Sequence, residues 1–386
     1  MHGSQVKANS ASIIPGLDPR GQIPKACQDL CFFEATEDAL FVGLFDGHGR
    51  EGKKVVDFCK SYMQSYFAGH RNSWENNPVQ FLSDLTHSCD KALVKRGSGV
   101  DALYSGTTAV LYLLIAGRVY LGSVGDSRVL LGTARPIDYA APTAPPRGED
   151  KDILDRVKRR RSVSVDKPLH AVQLTKDQKP EEPEETERIL KMGGVVKRLM
   201  DEAGRNVGPW RVWRKDANYP GLAMSRSIGD VAGSEIGVVS SPLITTHALR
   251  SGDDFFLVSA SDGVWDVMEN QEVADFVEAY RYFCARDIQS PCISDKVTPQ
   301  NSTIAQLLCE EARIRWLSIV EEEDVLIDDI SCVITEMHES NMHLVLPPGR
   351  TNVPNLDAVD LPERHIASIP TTEVKLRDPR RSSVSD

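Results

Sequence analysis

The sequence predicts an α+β fold in which antiparallel β-sheets carry helices packed against them. Three observations predict it. Two consecutive stretches, about 52–67 and 78–95, repeat their apolar residues at helical spacing. The period then shortens to that of strands, in three apolar, β-branched runs at 107–115, 119–124 and 128–132 separated by hairpin signals. Helices and strands therefore come in runs and do not alternate as a parallel βαβ sheet requires.

In chain order, residues 1–21 read as an N-terminal extension and the opening stretch as loop. Leu30–Glu34 and Leu40–Phe45 read as strands around a turn at Ala35-Thr36-Glu37-Asp38. The first helix has Val55, Val56, Phe58, Cys59, Tyr62, Met63 and Tyr66 in period. The second has Phe81, Leu82, Leu85, Cys89, Ala92 and Leu93, with Pro78 suited to its first turn. Ala116-Gly117-Arg118 and Gly125-Asp126-Ser127 then separate the strands of an antiparallel meander. Residues 134–168 are rich in Pro and Ala, then basic and polar. They can bury little apolar surface and read as a mobile surface insertion. The fold resumes at Ala171–Leu174, and a helix over Glu184–Met192 stops at Gly193-Gly194. Strands follow near Val195–Leu199, Trp210–Trp213, Phe255–Ala260 and Ser331–Ile334, and helices over Asn270–Tyr280 and Ser302–Ile319. Residues 339–386, rich in Pro, Arg and Ser, read as a disordered tail. No fold unit repeats in tandem.

Composition narrows the class. The chain has 386 residues, 41% hydrophobic and 26% charged, as soluble globular proteins do. A formal charge of −11 argues against a nucleic-acid partner, which needs a basic surface. No apolar run is long enough to span a bilayer, the N-terminus lacks an apolar signal region, and His2 is not the glycine of a myristoylation site. The eight cysteines form no CxxC pair, so reduced thiols in a cytoplasmic or nuclear protein are expected. A monomer is expected.

Aspartates accumulate where strands meet turns. Leu40–Phe45 closes on Asp46-Gly47-His48-Gly49, and a turn does not need histidine between two glycines. Asp29 precedes the first strand, Asp126 sits in GDSR, and Asp230 ends MSRSIGD. Asp262 follows a strand in FFLVSASDGVWDV, with Asp266 four residues later, and Asp328-Asp329 precede the last strand. Each has a plainer reading: a DG pair is usually a turn, a lone His is usually a hydrogen-bonded turn residue, and Asp126 would cap a hairpin. As a set they read differently. Strand ends in packed sheets can converge on one cleft, and gathered carboxylates repel unless a cation joins them. Oxygen ligands without Cys or paired His select Mg²⁺ or Mn²⁺ over Zn²⁺. Two such ions can hold a bridging hydroxide and drive in-line phosphoryl transfer to water, with a neighbouring His as general acid.

At this point the sequence resembles the metal-dependent Ser/Thr protein phosphatases of type 2C. The resemblance rests on CQDLCFF, LFVGLFDGHGR, SGTTAVL, VYLGSVGDSRVLL, AVQLTKDQKP, ERILKMGGVV, LAMSRSIGD, LVSASDGVWDVM and DDISCVIT, in the family's order from about residue 22 to 336. It implies a catalytic domain over 22–338 and a four-layer αββα sandwich, two antiparallel sheets flanked by helices. It implies that Asp46 bridges two metals and that the Gly47 carbonyl binds one, with Asp262 and Asp328 completing the other. Asp29 would act on metal-bound water and His48 would be the general acid. Asp126, with Asp262, would help hold a third, weaker ion, and Asp230 and Asp266 would be acidic residues near the site. Asp329 stands where the family commonly has Asn.

Two departures accompany the resemblance. Gln28 stands where animal members have Glu, which lowers the local negative charge and would loosen the second metal. The Arg that some members use to hold substrate phosphate aligns near Pro24, which leaves Lys25 as the nearest cation, a point charge rather than a bidentate fork. Separately, RRRSVSVD (159–166) recurs in outline as RRSSVSD (380–386). Ser162, Ser164, Ser382 and Ser383 are therefore expected sites for a basophilic kinase, against the plainer reading of a solvated basic loop. Lys158–Arg161 also fits a nuclear-import patch. The expected function is hydrolysis of phosphoserine and phosphothreonine in phosphoprotein substrates. Its rivals are a catalytically weak phosphoprotein-binding module and a hydrolase of small phosphoesters.

Overall fold

The computed structural model describes residues 6–18, 23–24, 26–136, 169–286, 302–320 and 326–337. The chain divides into two compact units, Met1–His343 and Leu344–Asp386, and the second lies outside the described residues. So do 137–168, which hold nearly all of the expected insertion, together with Lys25, Ser162, Ser164, Ser382 and Ser383.

Within the first unit, strands β1 (Val6–Ile14), β2 (Leu17–Asp18), β3 (Ile23–Pro24), β4 (Asp29–Ala35) and β5 (Ala39–His48) lead into three helices. These are α1 (Gly52–Gly69), α2 (Arg71–Asn76) and α3 (Pro78–Leu93). The Asn77 side chain caps α3 by accepting from Gln80 N–H at 3.1 Å, with Pro78 in the first turn. Next come β6 (Gly106–Thr107), β7 (Ala109–Ile115), β8 (Arg118–Val124), β9 (Arg128–Thr133) and β10 (His170–Gln173). Helix α4 (Pro183–Lys191) precedes β11 (Gly194–Met200), β12 (Asn206–Arg214), β13 (Pro220–Leu222) and β14 (Ile228–Gly229). Helix α5 (Val231–Ser234), β15 (Leu243–Ala248), β16 (Asp254–Ala260), α6 (Asp262–Trp265), α7 (Asn270–Arg286), α8 (Ile304–Val320) and β17 (Ile330–Met337) complete it.

Two antiparallel sheets dominate. One runs β1-β17-β16-β9-β10; the other runs β14-β6-β5-β7-β8-β15, with β4 also paired to β5. The period of two sorts their side chains. Leu40, Val42 and Leu44 of β5 join Val110, Tyr112, Val129, Leu131, Leu257 and Val333 in a core between the sheets. Phe41 and Phe45 point the other way, into a core with Val55, Cys59, Met63 and Phe67 of α1 and Leu82 and Leu85 of α3. The first sheet turns Phe256, Val258, Cys332 and Ile334 onto α7 and α8. The result is the expected α+β sandwich, helices outside two packed sheets. Each fully buried Phe or Leu contributes about 2–3 kcal/mol.

Three local expectations differ from the structure. The segment read as loop carries β1, which pairs with β17 from Val6↔Met337 to Ile14↔Ile330 and so belongs to the sandwich. The run from Thr107 breaks at Thr108 into β6 and β7. The meander is only half present. Ala116 and Gly117, both at positive φ (46° and 78°), make the tight hairpin of β7 and β8. Gly125-Asp126-Ser127 makes none: β8 lies in one sheet and β9 in the other, so this turn crosses between them.

Candidate active site

Strand β5 carries the DGHG turn to a place where the sheet changes partner. On one edge Asp46 lies opposite Asp29 of β4. On the other, β5 leaves β7 after Leu44↔Val110 and takes up β6, with Gly47 opposite Thr107 and His48 opposite Gly106. Thr107 and Thr108 strap the strand end. Asp46 N–H donates to Thr108 Oγ1 (3.2 Å), and the Asp46 carbonyl accepts from Thr108 N–H (2.9 Å) and Thr107 Oγ1 (3.0 Å). The backbone is thus satisfied without using the Asp46 carboxylate. Gly49 turns the chain away at φ 83°, against the Tyr104 carbonyl.

Around that carboxylate the other strand ends converge. Burial pushes the Asp46 pKa well up, and the charges of Asp29, Asp262, Asp328 and Asp126 add to it. Asp262 is likewise raised by burial, then by Asp266, Asp328 and Asp126, against the pull of Lys179. Asp29 is pushed up to about 7, chiefly by burial. Both Asp29 carboxylate oxygens, Asp126 Oδ1 and Asp262 Oδ1 are buried without a hydrogen-bond partner. Among the described residues no three His, Cys, Asp or Glu side chains are already set to hold a metal ion. The donor set nevertheless fits one. Buried, unpartnered, mutually repelling carboxylate oxygens are what a hard cation requires, and no thiolate or imidazole pair competes.

The neighbouring carboxylates divide between site and scaffold. Asp329 spends both oxygens on backbone, accepting from Gly16 N–H (2.5 Å) and Gln28 N–H (2.7 Å). It pins the segment after β1 to the start of β4. Asp328 is exposed; its Oδ1 accepts from Asp329 N–H at 2.8 Å, and its charge acts on Asp29, Asp46 and Asp262. Gln28 brackets the DGHG turn. Its carbonyl accepts from Gly47 N–H (3.3 Å), and its Nε2 donates to the Gly49 carbonyl (2.9 Å).

His48 has its own partner. Its Nε2 lies 2.6 Å from Asp230 Oδ2. Burial would lower the imidazole pKa, but the Asp230 carboxylate outweighs it and holds the value above the ordinary one. Backbone without side chains makes this contact possible. His48, Gly106 and Gly229 stand in register across β5, β6 and β14. A Cβ on Gly106 would fall 2.2 Å from Asp230 Oδ2.

A model of the protein phosphatase 2C family matches residues 23–300 of this chain. The chain belongs to the protein phosphatase 2C family. It is therefore a protein phosphatase, a hydrolase. It is 30% identical over 355 residues to Probable protein phosphatase 2C 12 of Oryza sativa subsp. japonica, covering 81% of this chain and 77% of that one. It is 37% identical over 246 residues to Probable protein phosphatase 2C 61 of Arabidopsis thaliana, covering 63% and 64%. The crystal structure of a serine-threonine phosphatase 2C from Toxoplasma gondii superimposes with a TM-score of 0.58 at 20% identity, over 87% of this chain and 96% of that one. A C. elegans sex determining protein does so with 0.60 at 17%, over 86% and 65%. At such identities these two show the shared fold alone.

The structure of this family member thus brings Asp29, Asp46, Asp126, Asp262, Asp266 and Asp328 within electrostatic reach of one another and sets Asp230 on His48. It also adds residues that the sequence reading passed over. Lys179 of TKDQKP reaches Asp126 Oδ2 at 2.5 Å. Burial would lower its pKa, but Asp126, Asp266 and Asp262 hold the ammonium well above the lysine range. Arg128 forks onto Asp177, Nε to Oδ1 at 3.1 Å and Nη2 to Oδ2 at 2.6 Å, and stacks 4.9 Å over the Trp265 ring. Gln178 buckles the crossover through Gly125 N–H (2.5 Å). The basic and acidic residues packed into TKDQKP were the available signal.

Proposed function

We propose that this phosphatase hydrolyses phosphoserine and phosphothreonine in proteins, with Mg²⁺ or Mn²⁺ held by Asp46, the Gly47 carbonyl, Asp262 and Asp328. The observation that carries the reading is the convergence of unpartnered carboxylates on a strand end that also bears the His48–Asp230 pair. When bound, the divalent ions would supply Lewis acidity and an activated water for attack on phosphorus. The remaining work falls to side chains. Asp29, opposite Asp46, orients that water. Asp230 occupies Nε2 of His48, so Nδ1, buried and unpartnered, is the nitrogen that can give a proton to the departing seryl or threonyl oxygen. The Asp230 carboxylate, which raises the imidazole pKa, favours retention of that proton.

Asp126 has one oxygen on Lys179 and so has only Oδ1 to offer a further cation. Of the two departures that favoured the binding-module reading, Gln28 and the missing Arg near Pro24, Gln28 has a structural task on Gly49, which weakens that reading. The test is phosphate release from a phosphothreonine peptide with Mn²⁺, Mg²⁺ or EDTA, for wild type and Asp46→Ala. Metal-dependent release that vanishes in the variant is expected; release that persists in EDTA would sink the proposal. Comparison with a small phosphoester separates protein from small-molecule substrates.

A further inference from the structure

His48 can act as a proton donor only if Asp230 stays on it, and the backbone that presents Asp230 is one that L-residues avoid. Gly229 and Asp230 are consecutive residues at positive φ, 92° and 47°. Glycine takes that conformation freely, but for Asp230 it is costly and its surroundings must hold it. Just after it, Val231 N–H donates to the Ala102 carbonyl and Ala232 N–H to the Leu103 carbonyl, each at 3.0 Å, and the pair itself is gripped at both of its N–H groups. Asp230 N–H donates to the Ser105 carbonyl at 3.0 Å. Gly229 N–H donates to Oδ1 of Asp90, at 2.9 Å, on helix α3. The other oxygen, Oδ2, accepts from Ser240 Oγ at 2.8 Å, so the carboxylate is fixed from two sides. Asp90 follows Cys89 and precedes Leu93, both fully buried in the core beneath the second sheet, so α3 offers it from a rigid base.

We propose that Asp90 is a positioning residue for the reaction. By gripping Gly229 N–H it maintains the left-handed turn that keeps the Asp230 carboxylate on His48. The inference rests on the reading of His48 as proton donor to the leaving oxygen. It places a functional residue outside the cleft, on a helix whose sequence pattern reads as core.

The consequence is a dependence on the leaving group. A seryl or threonyl oxygen leaves as a strongly basic alkoxide and needs the proton. A p-nitrophenolate is weakly basic and leaves without it. A residue that only supports the fold would affect both substrates alike. The experiment measures kcat and KM with Mn²⁺ for a phosphothreonine peptide and p-nitrophenyl phosphate, using wild type, Asp90→Ala, Asp90→Asn and His48→Ala. His48→Ala is expected to lower kcat on the peptide about 100-fold and on p-nitrophenyl phosphate only a few-fold. Asp90→Ala is expected to lower peptide kcat about 10-fold with KM unchanged, and p-nitrophenyl phosphate kcat less than about two-fold. Asp90→Asn, whose amide oxygen can still accept from Gly229 N–H, is expected to restore the peptide rate.

If Asp90→Ala lowers both substrates equally or neither, the positioning role is overturned while that of His48 stands. If His48→Ala itself shows no difference between substrates, the proton-donor reading fails, and this inference with it. Should Asp90→Ala not fold by circular dichroism, Asp90→Ser, too short to reach Gly229, takes its place with the same outcomes.

Discussion

Two groups of buried carboxylates in this molecule behave in opposite ways. At the strand ends, neither Asp29 oxygen has a partner at full hydrogen-bond geometry, and burial pushes its pKa up to about 7 against the weaker pull of the Ser331 and Ser261 hydroxyls. At the far end of β16, Asp254 accepts from Thr133 Oγ1 (2.7 Å) and from Arg250 N–H (2.8 Å) and Nη2 (3.0 Å), and lies 2.9 Å from His247 Nε2. Beside β14, Glu185 of α4 accepts from Ser225 Oγ (2.5 Å), Arg188 Nη2 (2.6 Å) and Arg226 Nη2 (2.6 Å). Burial alone would raise both of these carboxyls. The hydrogen bonds outweigh it, placing Asp254 far below the carboxylate range and Glu185 at about 2. Burial is common to both groups; partners are not. The partnered carboxylates tie loops to sheets, whereas the unpartnered ones cost stability on their own, and they are the groups to which the proposal above assigns the cation.

Substitution should separate the two groups, most sharply at Asp46. Asp46→Asn is expected to lower metal-dependent phosphate release about 1000-fold or more. In EDTA the same variant is expected to be about 0.5–2 kcal/mol more stable than wild type, because it removes one of several repelling charges. Urea unfolding of both proteins in EDTA measures this, and a clear loss of stability would contradict the division.

Glu185→Ala should do the reverse. Removing the acceptor of Arg188 and Arg226 is expected to cost about 3 kcal/mol while leaving the cleft intact. The pH dependence has a definite sign. The folded pKa is depressed from 4.5 to about 2, so the stabilisation is fully present above pH 4.5 and is lost as pH falls toward about 2. The stability gap between wild type and Glu185→Ala should therefore shrink over that interval. A gap constant from pH 7 to 2.5 would show that Glu185 does not act through its charge.

The contrast also explains what could be read in advance. Asp46, Asp262 and Asp328 were legible because each adjoins an apolar strand, and Gly47 and Gly263 marked two of the turns. The sandwich was legible because periods of two and 3.6 sort residues onto faces. Asp126 was placed in a hairpin because a glycine-rich turn within one sheet and a crossover between two sheets use the same residues. β1 was missed because VKANSASII is small and polar and lies at a sheet edge. Lys179 and Asp90 were missed because a loop lysine and a helix aspartate carry no period; only the tertiary fold shows what they touch.

Lys179 sits at the boundary between the two groups, since it gives one cleft carboxylate a partner. Lys179→Met leaves Asp126 buried and unpaired, and a cost of about 2 kcal/mol is expected in EDTA, moderated because Lys179 is half-buried. Mg²⁺ should recover part of that loss if the remaining carboxylates then take up the ion more readily. Equal losses with and without Mg²⁺ would mean that the ammonium serves the fold alone.

The smallest effect concerns Gln28, where the contrast can be reversed by one atom. Its Nε2 donates to the Gly49 carbonyl, and a glutamate there has no donor at neutral pH. Gln28→Glu therefore exchanges a hydrogen bond for a carboxylate facing a carbonyl, close to Asp29 and the Asp46 turn. A loss of about 1 kcal/mol is expected, seen as a lower urea midpoint at unchanged slope. The added charge would also favour a divalent ion, so the stability difference should narrow when Mg²⁺ is present. If Gln28→Glu is instead neutral in EDTA, the bracket on Gly49 contributes little. The turn would then be held by the backbone bond from Gly47 to the Gln28 carbonyl, and residue 28 would matter to the cleft through its charge alone.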